Sequence, residues 1–199
     1  MNQSPKSLRL NRKMHTRAEI VRVAFDLFGK LGFERVSVEM IAEAAGISRA
    51  TFFNYFPQKE LILREIASAR MQKLKSSLAA FSTAQTHPTL PRIVQVIVKI
   101  SEENARISRQ SKKLLLEIIF RLASQGLLLT AREQAIEALA EAINRVPRRK
   151  GCTARKVAEA IFAIYIGTML EWLMQQSVPL QWLRKTMRER LQLLLKGVA

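Results

Sequence analysis

The chain has 199 residues, 48% of them apolar, and its 33 lysines and arginines against 16 acids give a formal charge of +17. That length can hold one sizeable helical domain plus a small one, and 7 glycines with 6 prolines argue against a loop-rich or all-β fold. There is no run of 18 uninterrupted apolar residues and no apolar segment after the basic N-terminus, and the single cysteine, Cys152, permits no intrachain disulfide, so neither a membrane span nor a signal peptide is indicated and a reducing, cytoplasmic setting is expected.

Residues 1–15 carry Lys6, Arg9, Arg12 and Lys13 with no acid, and Arg17 follows closely. They read as a basic arm able to track a phosphate backbone or enter a minor groove, or as a solvated tail. Thr16-Arg17-Ala18-Glu19 has the capping-box pattern, which predicts a first helix from Thr16. Ile20, Val23, Ala24, Leu27 and Phe28 then recur at helical spacing up to Gly32. Two short helices, at about 38–45 and 49–55, flank Gly46. Ser37 is placed to cap the first and Ser48 the second, while Gly46 suits a left-handed helix end and Pro57 stops the second helix. Val38, Ile41, Ala42 and Ala45 form an apolar stripe, and Ile47 would anchor the turn. Phe52 and Phe56, four residues apart, face inward, which turns Arg49, Ala50, Phe53, Asn54 and Tyr55 partly or wholly outward. This is the spacing of a helix-turn-helix, a corner that can set its second helix into a DNA major groove.

A fourth helix is predicted from near Gln58 to about Ala80, then a polar, proline-containing linker at 82–90. Helices follow at about Pro91–Ser108 and Ser111–Ser124, the latter closed by Gly126. A second capping box, Thr130-Ala131-Arg132-Glu133, opens a helix that ends before Pro147. Thr153 caps a long helix to about Gln176, and Pro179 separates it from a last one at about 180–196, before Gly197. The expectation is an all-α chain of about nine helices. In the last two, Ile161, Ile164, Thr168 and Leu173, then Trp182, Leu183, Met187 and Leu191, make wide apolar faces. Pairing both helices with a second copy would bury them in a two-fold four-helix interface, each large side chain contributing roughly 1.5–3 kcal/mol.

The residues that carry a resemblance run through 16–62: Ile20, Ala24, Leu27, Phe28, Gly32 and Phe33; then Ile41-Ala42, Ala45-Gly46-Ile47-Ser48, Thr51-Phe52, Tyr55-Phe56 and Lys59-Glu60-Leu61. This segment resembles the DNA-binding domain of the tetracycline-repressor (TetR) family. The resemblance implies a basic arm (1–15), a helix-turn-helix domain (16–62) and an effector-binding and dimerisation domain (63–199). It implies a homodimeric regulator that binds palindromic operator DNA and, as a repressor, leaves it when a small-molecule effector binds. Carried over by position, Arg49 would bond guanine in bidentate fashion and Ala50 would touch a thymine methyl. Thr51 and Asn54 would bond phosphate or base, and Tyr55 a phosphate. Ser37 and Lys59, at helix N-termini, would meet phosphates. Phe53 stands where many members have tyrosine and keeps only packing against sugar or base. For the effector pocket the candidates are Met71, Phe81, Glu117, Phe120, Tyr165, Met169 and Trp172, although Glu117 also has Arg121 at i+4 for a surface ion pair. The other reading of the charge is a nonspecific DNA-packaging protein. Catalysis is not expected: His15 and His87 lack metal-ligand neighbours, and neither a Gly-rich phosphate loop nor a serine elbow is present, so no metal or cofactor is called for.

Overall fold

The computed structural model describes residues 5–83, 89–108, 112–175 and 177–198, and among them nine helices and no strand. They are α1 (Pro5–Leu31), α2 (Val38–Ala44), α3 (Arg49–Tyr55), α4 (Glu60–Thr83), α5 (Leu90–Ser108), α6 (Lys112–Ser124), α7 (Leu127–Asn144), α8 (Ala154–Met174) and α9 (Leu180–Val198). The chain divides into two compact units, Met1–Ser68 and Ala69–Ala199. Most of the 82–90 linker lies outside the described residues.

The start of α1 corrects the expectation at Thr16. The helix already runs from Pro5, a residue whose missing N–H costs nothing in a first turn. Residues 6–15 contain no glycine or further proline, and most of them (Lys, Arg, Leu and Met) are good helix formers. Thr16 therefore sits mid-helix, its Oγ1 donating to the Arg12 carbonyl at 3.0 Å instead of capping. The second capping box fails in the same way. Gly126, with φ of 70°, takes the chain directly from α6 into α7, so Thr130 lies inside a helix that begins at Leu127.

In the first unit, Ile20, Ala24, Phe28, Phe33, Val36, Ile41, Phe52, Phe56 and Ile62 form a closed core. Phe28 and Phe33 pack with centroids 4.9 Å apart, and Phe52 and Phe56 at 6.0 Å. In the second, α8 packs on α6, α7 and α9, and α5 packs on α9. By length and composition α8 is apolar enough to cross a membrane, but here it is the central helix of its unit, with Val157, Ala158, Ile161, Thr168, Met169, Trp172 and Leu173 buried. Thr153 caps its start by accepting from the Lys156 N–H at 3.2 Å. At its other end Lys112 donates to the carbonyls of Trp172 (3.0 Å) and Gln175 (2.7 Å), with its ammonium 4.0 Å from the indole.

The assignment of a dimer face is corrected. Ile161, Thr168, Leu173, Leu183, Met187 and Leu191 are buried within their own unit, and only Ile164 and Trp182 are half-buried. One subunit does cover those sides, because α8 and α9 pack on each other as well as on their neighbours. On α8 the apolar residues left open lie on the opposite side, where Ala163, Ile166, Gly167, Leu170 and Met174 follow one another at helical spacing. On α9 it is Trp182 and Leu193. Met174 is 73% exposed and Leu193 70%.

Candidate nucleic-acid interface

The reading corner is built by the short-range chemistry expected of it. Ser37 Oγ accepts from the Met40 N–H at 3.2 Å and Ser48 Oγ from the Thr51 N–H at 3.1 Å, satisfying donors that a helix start leaves orphaned. Gly46 lies at φ 65°, a left-handed conformation that a Cβ would strain, and the following Ile47 N–H turns back to the Ala42 carbonyl at 2.9 Å. Phe52 and Phe56 anchor α3 in the core, leaving Arg49, Ala50, Phe53 and Asn54 exposed and Thr51 and Tyr55 half-buried. The hydroxyls of Ser48 and Thr51 are 2.8 Å apart at the start of α3. Phe53 stands edge-on to Phe52 at 5.7 Å. Arg49 pairs through Nε with Glu39 Oε1 of α2 at 3.0 Å, and its guanidinium carbon lies 5.5 Å from the Phe53 ring centre.

Lys59 differs from the expectation. Its ammonium donates to the carbonyls of Phe33 and Val36, both at 2.9 Å, and sits 4.3 Å from the Phe33 ring centre. Those carbonyls belong to the turn after α1, where the Phe33 carbonyl also accepts from the Val36 N–H at 3.4 Å. The side chain braces that turn from a half-exposed position.

Arg17, which sequence reasoning counted with the basic N-terminal residues, has an internal role. Nη1 donates to the Tyr55 carbonyl at 2.9 Å, Nη2 to Glu65 at 2.8 Å, and the guanidinium lies 4.3 Å from the Phe56 ring centre. It ties the end of α3 to α1 and α4, and nothing local predicts a partner 38 residues away. Arg17→Ala is expected to lower the stability of this unit by about 1–2 kcal/mol, reduced from the full value of charged hydrogen bonds because the arginine side chain is 40% exposed. An unchanged urea midpoint would remove the brace from the account.

The proposed effector residues divide. Tyr165 and Met169 lie on the inner side of α8, with the Tyr165 hydroxyl accepting from Asn104 Nδ2 at 3.0 Å. Burial pushes the Tyr165 phenol up, against the pull of the Asn104 bond and the nearby Arg70, and burial lowers the Arg70 guanidinium. Trp172 is buried, and its indole Nε1 has no hydrogen-bond partner among the described residues. Met71 is half-buried. Glu117 is half-buried and engaged with Arg121 at 3.1 Å, and Phe120 is 75% exposed. The Phe81 side chain lies outside the described residues. Two clefts open elsewhere in this unit, about 610 Å³ between α5 and α9 and about 840 Å³ between α4 and α7, and neither is lined by the residues chosen from sequence. Sequence reasoning missed Asn104 and Arg70; the signal available was polar residues on otherwise apolar helix faces.

Residues 20–66 match the sequence model of the bacterial regulatory proteins of the tetR family. Over 94 residues the chain is 29% identical to the HTH-type transcriptional regulator RutR of Escherichia coli, covering 45% of this chain and 43% of that one. Over 53 residues it is 42% identical to the HTH-type transcriptional regulator TcmR of Streptomyces glaucescens, covering 27% and 24%. Each match thus spans less than half the relative's length. The crystal structure of Thermus thermophilus FadR, a TetR-family transcriptional repressor in complex with lauroyl-CoA, is similar across 91% of this chain and 94% of that one, with a TM-score of 0.63 and 26% identity.

Proposed function

Since this chain belongs to the TetR family of bacterial regulatory proteins, we propose that it is a cytoplasmic, homodimeric transcriptional regulator that binds a palindromic operator and releases it when a small molecule binds. The observation that carries the reading is the outer face of α3. It presents Arg49, Ala50, Thr51, Phe53, Asn54 and Tyr55 from a helix fixed to the core by two fully buried phenylalanines. A side chain held this way keeps its place when it enters a groove, and base edges are read only at fixed distance. Arg49 is the guanine reader, Ala50 the thymine-methyl contact, and Ser37, Thr51, Asn54 and Tyr55 the phosphate and base partners. The open side of α8, with Trp182 and Leu193 of α9, is the surface through which two copies pair and set their reading helices about 34–36 Å apart.

For the effector, the inner side of α8 supports a site around Tyr165, Asn104, Arg70 and Trp172. A buried indole N–H without an acceptor costs about 1–3 kcal/mol, which a ligand carbonyl or carboxylate would recover. The FadR complex makes lauroyl-CoA the first compound to try. A ligand releases DNA only through unequal affinity for the bound and free conformations.

The test is selection of bound duplexes from a random library, followed by footprinting of the enriched sequence. A palindromic consensus supports the reading. Equal retention of all sequences would instead favour a nonspecific packaging protein, the other class that +17 allows. The basic start of α1 gives a separate expectation. Deleting residues 2–13 should flatten the dependence of log K on log salt by roughly 1.8 for two lost phosphate contacts. An unchanged slope would exclude this segment from the DNA.

A further inference from the structure

Glu39 stands out because it is an acid on the surface that α3 presents to a polyanion. It lies in the first turn of α2, and its side chain is 57% exposed. Its carboxyl is held below its ordinary value by its own backbone N–H, then by the Ser37 hydroxyl, with Arg49 adding to the same effect. It therefore stays ionised, and close to phosphates it can only repel. A charge that weakens binding to all DNA has a use if it improves the choice among sequences.

Geometry supplies that use. The carboxylate meets Arg49 at Nε, 3.0 Å away, which leaves the Nη1/Nη2 edge of the guanidinium for another partner. Phe53 lies beside the same group at 5.5 Å, so the guanidinium, though largely exposed, is flanked by a carboxylate from α2 and a ring one turn along α3. Bidentate bonding to guanine O6 and N7 needs two donors held in a plane at fixed separation, whereas an unrestrained arginine reaches phosphate oxygens over a wide range of directions. We propose that Glu39 is a positioning residue for sequence choice, which holds Arg49 so that its terminal edge faces a base and keeps it from settling on the phosphate backbone. The inference rests on the DNA-binding reading above and goes beyond it in assigning discrimination to a residue that touches no base itself.

The test uses the full-length protein and the consensus selected by the wild type. If the wild type selects none, the functional reading fails before Glu39 is examined. With a consensus in hand, Glu39→Gln is measured on that duplex, on its single-base variants and on random duplex, and again in an Arg49→Ala background. The expected result is tighter binding of random duplex with loss of about fivefold or more in discrimination confined to one base pair per half-site. In the Arg49→Ala background the same substitution leaves discrimination at that base pair unchanged. A thermal midpoint close to wild type accompanies this, since Gln keeps the shape of the side chain. The proposal is overturned if discrimination is retained in full, if it falls equally at every position, or if Glu39→Gln has the same effect without Arg49.

Discussion

Gly167→Arg is expected to reduce the solution mass of the protein from twice 22.7 kDa to 22.7 kDa and to abolish binding to a full palindrome at concentrations where the wild type saturates it. Gly167 lies on the open side of α8, between Ala163 and Leu170, and a Cβ built there meets nothing within 4 Å. Within one subunit a Cβ at this exposed position is therefore free of contacts, and replacing a mid-helix glycine favours the helix by up to about 1 kcal/mol. All of its cost falls on the assembly. In a two-fold interface the same residue appears on both sides, so two guanidinium groups would be brought into an apolar contact, each losing several kcal/mol of hydration. Gly167→Ala is the control and should stay paired. Light scattering that still gives the doubled mass for Gly167→Arg would move the interface elsewhere and remove this face of α8 from the account.

The second large effect concerns DNA directly. Arg49→Ala should weaken binding to the preferred duplex by about 1–3 kcal/mol, roughly 5- to 150-fold, and relax the preference at a single base pair of each half-site. The side chain is 67% exposed and its pair with Glu39 lies in water, so stability should change by no more than about 0.5 kcal/mol. Binding curves on the full set of single-base variants separate the two possible roles. If every variant weakens by the same factor, Arg49 is a phosphate contact, and guanine recognition must be sought at Thr51 or Asn54.

The reading corner was legible in the sequence because its determinants are local. Ser37 and Ser48 bond N–H groups three residues on, Gly46 takes the left-handed conformation its lack of a Cβ permits, and Phe52 and Phe56 fall four apart on one face. Capping boxes were less informative. The pattern at Thr16 and Thr130 needs an extended residue at the cap position, and in both places the chain enters already helical, which the box residues cannot reveal. For α8 the apolar period was readable but its phase was not, since both sides of that helix carry apolar residues and only its neighbours decide which side they cover. The internal bonds of Lys59 and Arg17 were hidden for the same physical reason. A cation near a reading head looks free until the fold brings up carbonyls 23 to 38 residues away.

The continuous α1 carries a consequence for how the protein grips a duplex. At 1.5 Å per residue its 27 residues form a rod of about 40 Å, and the backbone positions of residues 6, 9, 12 and 13 are spaced by helical pitch and not by chain elasticity. A tether would adapt to any groove and lose conformational freedom on each encounter. A rod has lost that freedom already, so it holds fast where backbone spacing suits it and gains little where the duplex is bent away. On the proposed DNA-binding reading, the first turns of α1 would make the complex sensitive to the curvature of its operator as well as to its sequence.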